Sequence, residues 1–156
     1  MSQKTAYVCG PLTELSPSLA MEAKKFYQRI GDACQKVTGV RAFVPHEHFD
    51  PIKHTHFTPQ QVDEAEREQV CNKTSVLIVV AIAPSWGGGI EVEMANQNGV
   101  PVILLCEREK LQARQISRLL RGNPAVRKII EYDTQDEALQ QMEVALPNMT
   151  EQEVLV

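Results

Sequence analysis

Three consecutive glycines, Gly87-Gly88-Gly89, stand directly before Ile90 and Glu91 in this chain. Glycine lets a ligand approach the backbone closely, and N–H groups at a helix start carry the positive end of the helix dipole. The segment therefore reads as a cradle for an anion or a sugar hydroxyl. It is no Walker loop, because no Lys-Ser/Thr follows, and it does not match the Gly-x-Gly-x-x-Gly dinucleotide fingerprint. Glu91 is expected in the first turn of the helix that these glycines open, where an ionised carboxylate is favoured and suits a nucleophile. Glu93 falls about 200° further round the axis, so only one of the two acids can face a common crevice. Met94, Ala95 and Asn98 continue the face of Glu91. A surface acid that merely answers the dipole is the plain alternative, and the glycines with Trp86 beside them argue against it.

A second acidic group lies upstream in Asp63, Glu64, Glu66 and Glu68, with Arg67 among them. A solvated charged face is the ordinary reading of such a run. Asp63, Glu66 and Val70 nevertheless share one stripe of a helix, so an acid there can stand opposite Glu91. Two carboxylates about a glycosidic bond supply one nucleophile and one proton donor. Both Asp63 and Glu66 stay open as the donor.

The segment from Pro45 to Phe57 holds all four histidines as two His-x-His pairs, His46/His48 and His54/His56. Imidazole is a common metal ligand, but no cysteine falls nearby and the spacing fits no zinc pattern, so no metal is expected. The segment reads instead as a loop that roofs a pocket with polar and aromatic groups, His48, Phe49 and Phe57 among them.

These groups need a scaffold. Val76 to Ile82 and Val100 to Leu105 are continuous apolar runs, as in strands covered on both faces of a parallel sheet. Thr5–Cys9, Arg41–Val44 and Arg127–Tyr132 are shorter strand candidates, which makes five. Helical periods lie between them. One runs from the N-cap Ser16 and Pro17 to Gly39, one opens at Thr58-Pro59, and one begins within the glycines; two more cover about Gln112–Leu120 and Thr134–Ala145. The alternation argues an α/β class: a single flavodoxin-like doubly wound domain over residues 1–156, five parallel strands in order 2-1-3-4-5, helices on both faces. Ligands of such sheets bind beyond the carboxyl ends of the strands, between the first and third. There the sequence places Tyr7, then Gly10 and Pro11 after the first strand, and Ser85, Trp86 and the glycines after the third.

The chain has 156 residues, 16 basic against 20 acidic side chains, a net charge of −4 and 43% hydrophobic residues. An acidic balance without a basic stripe argues against polymeric nucleic acid as a partner. The start lacks the apolar stretch of a signal peptide, and the apolar runs are too short to span a bilayer. A cytoplasmic protein that meets no membrane is expected, with Cys9, Cys34, Cys71 and Cys106 as reduced core residues. The tail, residues 147–156, ends in Val154-Leu155-Val156 and is expected either to fray or to pack against a second subunit.

Tyr7-x-Cys9-Gly10 after the first strand and Pro84-Ser85-x-Gly87-x-Gly89-x-Glu91 leading into a helix resemble the nucleoside 2-deoxyribosyltransferase family, which includes the 2-deoxynucleoside 5-phosphate N-hydrolases. The similarity runs from about Thr5 to Tyr132. It implies a flavodoxin-like domain, chemistry without cofactors, and a glutamate nucleophile that forms a covalent sugar–enzyme intermediate. Glu91 matches that glutamate, and Tyr7 matches the tyrosine that orients it. The family's aspartate on the second helix has no unambiguous match; ungapped alignment lands on Arg67. Ser85 occupies the place of an aspartate that transferases use for the sugar 5-hydroxyl, and Ser117 falls in a segment like the hydrolases' serine segment, contributed across a subunit interface. These two features imply a phosphorylated substrate and a homo-oligomer. The first-strand loop, Gly10-Pro11-Leu12-Thr13, lacks the serine and arginine with which the hydrolases grip phosphate. With Phe49, Phe57 and Trp86 as a roof that stacks a base and keeps water out, the expectation is a transferase exchanging a purine between deoxynucleosides and free bases. Hydrolysis of a 2-deoxynucleoside 5-monophosphate is the alternative, and a non-catalytic nucleotide sensor a second one.

Overall fold

The computed structural model describes residues 3–150, without the side chain of Thr150. The apolar end Val154-Leu155-Val156 lies outside the described residues. Among the described residues eleven elements succeed one another: β1 (Thr5–Cys9), α1 (Pro17–Thr38), α2 (His46–Phe49), α3 (Pro59–Lys73), β2 (Thr74–Val80), α4 (Trp86–Gln97), β3 (Val102–Glu107), α5 (Arg108–Gln112), α6 (Arg118–Arg121), β4 (Val126–Tyr132) and α7 (Gln135–Thr150). The α/β class with a parallel sheet is as expected. The sheet has four strands in order β1-β2-β3-β4, all pairs parallel, not five in order 2-1-3-4-5.

The missing strand is the Arg41–Val44 segment. It lies beside β1 but makes one isolated bridge, Phe43 to Tyr7. The Phe43 N–H donates to Ala6 (2.8 Å) and the Val8 N–H to Phe43 (2.9 Å). Pro45, two residues on, has no N–H to extend the ladder, and the chain turns into α2. Other bounds shift for local reasons. The helix expected over Gln112–Leu120 is two short ones, α5 and α6, separated by Arg114 at φ 58° and by the new N-cap Ser117. α7 runs past its expected end at Ala145, with Pro147 inside it. The caps of α1 and α3 are as read: Ser16 accepts from the Leu19 N–H, Gly39 closes α1 at φ 80°, and Thr58 forms a capping box with Gln61.

Alternate strand residues face opposite sides of the sheet. Val8, Ile78, Val80, Ile103, Leu105 and Ile130 pack under α1 and α7 with Phe26, Ile30 and Met142. Tyr7, Cys9, Leu77, Val79 and Leu104 face the other side, with Val70 of α3 and Val92 and Ala95 of α4. This parity aims Tyr7 and Cys9 at α4. Among the described residues no helix is long and apolar enough to cross a membrane.

The α2–α3 connection is fastened from beneath. Buried Asp50 pairs with Lys24 of α1 at 2.6 Å and accepts the N–H groups of Ile52 (2.8 Å) and Lys53 (3.2 Å). Burial pushes the Asp50 carboxyl up, but Lys24 and the two N–H groups outweigh it and hold it at about 2. A lowered folded-state pKa contributes stability that is present above the ordinary value of 3.8 and lost as pH falls toward 2. Lys24→Met strands the carboxylate and is expected to cost about 3 kcal/mol at pH 7, with a smaller cost near pH 3, measured by urea unfolding.

Candidate active site

Glu91 is 8% exposed and sits in α4 on the face turned to the sheet. The helix starts at Trp86, so Glu91 lies in its second turn and not in the first, where the glycines suggest it. The terminal dipole acts mainly within the first turn and does not by itself hold this charge. Side chains of β1 do so instead. The Tyr7 hydroxyl donates to Glu91 Oε1 at 2.5 Å. Burial raises the Glu91 carboxyl above its ordinary range, and the Cys9 and Tyr7 donors offset that rise only in part. The Tyr7 hydroxyl and the Cys9 thiol are themselves raised, by burial first and then by the charge of Glu91, so both stay protonated donors. Tyr7 is fixed from its other side by Phe43, whose ring stacks on it at 5.3 Å, and by His48, whose ring stacks on Phe43 at 4.4 Å.

Glu91 opens into a cleft of about 620 Å³ between α3, α4 and the α2–α3 connection. Glu66 and Asp63 of α3, Phe49, Phe57 and Gly87 line the same cleft. Phe49 and Phe57 meet edge to face at 5.0 Å. The two α3 acids part company here. Glu66 is half-buried, and its carboxyl is pushed up to about 7 by burial first, then by the charges of Glu91 and Asp63. Asp63 is exposed and pairs with Arg67 one turn on at 2.9 Å, which lowers its carboxyl. Arg67 favours the ionised form of Asp63, so Glu66 is the better placed of the two to donate a proton near neutral pH.

The remaining residues singled out in the sequence are divided. Gly10, Pro11, Ser85, Gly89 and Ser117 line a second, larger cleft of about 1650 Å³ on the other side of α4, together with Lys110, Arg114, Arg118 and Arg121. Several of them have a structural task. Gly10 makes room for Tyr27, whose ring Cζ would stand 2.6 Å from a Cβ at that position, and the Tyr27 hydroxyl donates to Pro11 at 2.7 Å. Ser85 caps α4 by accepting from the Gly88 N–H at 3.1 Å, and Ser117 caps α6 by accepting from Leu120 at 3.2 Å. Within the triple glycine, a Cβ at Gly87 or Gly89 would meet nothing within 4 Å. Gly88, outside the Gly87-x-Gly89 motif, is the constrained one, with Ser85 at 3.3 Å and Cys9 Sγ at 3.4 Å from such a Cβ.

Two more of the residues singled out in the sequence lie away from both clefts. Trp86, expected to roof the pocket, is 88% exposed at the start of α4 and lines neither cleft. His48 is exposed and lines neither cleft; its ring supports Phe43 and thereby Tyr7. Cys9, expected as a reduced core residue, stands beside Glu91, and His54, one of the histidines of the expected roof, lines the Glu91 cleft.

No family model matches the chain. Over 91 residues, 58% of the chain, it is 31% identical to a putative 2′-deoxynucleoside 5′-phosphate N-hydrolase 1 of Thermofilum pendens, and the match spans 62% of that relative's length. Among solved structures, BlsM matches with a TM-score of 0.75 at 18% identity, over 99% of this chain and 96% of that one. The CMP N-glycosidase BcmB of Clostridium botulinum matches with a TM-score of 0.63 at 19% identity, over 90% of this chain and 98% of that one. At these identities the structural matches show a shared fold. Together with the sequence match they bear out the resemblance to the nucleoside 2-deoxyribosyltransferase family that Tyr7–Gly10 and Pro84–Glu91 carry.

Proposed function

We propose that this chain cleaves the N-glycosidic bond of nucleoside 5′-monophosphates by hydrolysis, through a covalent sugar ester on Glu91. The observation that carries this reading is the pairing of two unlike carboxyls in one cleft: Glu91, buried and fastened by Tyr7, and Glu66, held up to about 7. Glu91 attacks the anomeric carbon while the C–N bond breaks and its electron pair returns to the base. Glu66 gives its proton to the departing base and, now ionised, takes one from water. That water opens the ester, releasing the sugar phosphate and restoring both carboxyls. The proposed substrates are small molecules, and the steps need neither metal nor cofactor.

A phosphorylated substrate is supported by Lys110, Arg114, Arg118 and Arg121 in the neighbouring cleft, beside the first turn of α4. Arginine and a helix start both favour phosphate. The relative from Thermofilum pendens, by its name, acts on a 2′-deoxynucleoside 5′-phosphate, and BcmB on CMP. Base exchange is a second reading, favoured by the Phe49–Phe57 pair, which offers an incoming base an aromatic wall. Trp86 is exposed and lines neither cleft, which weakens the support for that roof and favours hydrolysis. The test is product analysis with a deoxynucleoside and its monophosphate, each with and without a second base. Hydrolysis predicts free base from the monophosphate without a second base; new nucleoside formed only when one is supplied would move the assignment to a transferase.

A further inference from the structure

The cleft of Glu66 and Glu91 is lined also by His54, whose neutral-ring tautomer the fold dictates. The Asp50 N–H donates to His54 Nδ1 at 2.9 Å, and the His54 backbone N–H donates to the Asp50 carbonyl at 2.8 Å. Asp50 is itself pinned by Lys24. A ring nitrogen that accepts a hydrogen bond carries no proton, so the proton of the neutral imidazole is on Nε2. Among the described residues, Nε2 of His54 makes no hydrogen bond, and it is not one of the buried atoms without a partner, which are His46 Nδ1, His46 Nε2 and Arg121 Nε. Nε2 is thus a donor left free by the fold, on a residue that lines the same cleft as Glu66.

We propose that His54 Nε2 and the Glu66 carboxyl act as two donors that read two acceptors on one edge of the base, which makes His54 a specificity-determining residue. This rests on the N-glycosidase reading above. Hypoxanthine and guanine offer N7 and O6, and cytosine offers N3 and O2. Adenine sets an amino group beside N7 and so brings a donor against a donor. A site that hydrogen-bonds an acceptor rejects the isostere lacking it much more strongly than an apolar pocket does, because its own polar group is left unpaired. The Glu66 proton moves to the base nitrogen as the C–N electron pair returns to the ring, while His54 keeps its proton and only stabilises the oxygen beside it.

Deoxyinosine and deoxyadenosine 5′-monophosphates, alike outside that edge, are the probes for both binding and base release. Wild type is expected to favour deoxyinosine monophosphate by about tenfold or more in Kd and in kcat/KM. His54→Gln places an amide nitrogen where Nε2 lies and keeps the preference. His54→Asn places its amide where Nδ1 lies, keeps the link to Asp50, loses the far donor, and brings the ratio toward one with no change in Tm. The reverse pattern, with Asn keeping the ratio and Gln losing it, would make His54 a loop fastening only and overturn the proposal. The two readings fail separately. Selective binding of deoxyinosine monophosphate without base release sustains the donor pair and removes the N-glycosidase assignment. Base release at equal rates from both nucleotides sustains the assignment and overturns the donor pair.

Discussion

Replacing Glu91 by glutamine lowers base release from a nucleoside monophosphate by on the order of 10⁴-fold or more, because an amide oxygen cannot form the sugar ester on which both half-reactions depend. The fold survives the change. Glutamine fills the same volume between α4 and β1, its amide oxygen accepts the Tyr7 hydroxyl, and the cost of burying a carboxylate disappears. Tm is therefore expected to rise at pH 8, which separates lost chemistry from lost structure. Unchanged turnover would remove Glu91 as the nucleophile, and tight binding without turnover in either protein would leave the chain a nucleotide-sensing module.

Glu66→Gln is expected to lower kcat/KM by about 10²- to 10⁴-fold, the usual yield of a positioned general acid. The sign of its pH dependence comes from the raised pKa. Glu66 is protonated below about 7, so wild-type kcat/KM falls as pH rises through 7, by about tenfold per unit beyond it, and the variant lacks this limb. A 7-methylguanosine monophosphate, whose base departs neutral without a proton, is cleaved by Glu66→Gln nearly as fast as by wild type. Linkage gives a check without substrate. The folded protein holds the Glu66 proton more tightly than the unfolded chain, so stability falls between pH 4.5 and 7 and the variant escapes that loss. Its Tm advantage over wild type is larger at pH 8 than at pH 4. Equal pH profiles for the two proteins would remove Glu66 as the acid.

Much of this arrangement is legible in the sequence, and the parts that are not share a physical cause. Caps are local chemistry, so Ser16-Pro17, Gly39 and Thr58-Pro59 mark their helices correctly. The two apolar runs mark β2 and β3 because burial on both faces leaves no alternation to misread. The edge beside β1 fails because residues 41–44 have strand-like composition, whereas a ladder also needs a donor from the next residues, and Pro45 ends it. Glu91 and Tyr7 are legible as a pair through the resemblance, yet the hold on Glu91 comes from β1 side chains and not from the helix end, since α4 begins earlier than the glycines suggest. Asp63 and Glu66 are indistinguishable by spacing. Only burial separates them, together with Arg67, which takes Asp63 at i+4. Trp86 has pocket residues as its neighbours in sequence, but the first residue of a helix has no obligation to face the sheet.

The covalent ester on Glu91 is the claim on which the rest depends, and rapid acid quench of the enzyme with a nucleoside monophosphate, then intact-protein and peptide mass spectrometry, measures it directly. The expected result is a transient adduct with the mass of the sugar phosphate, mapped to the peptide containing Glu91 and absent from Glu91→Gln. Steady release of base with no adduct at any time point, or an adduct on another residue, would contradict it.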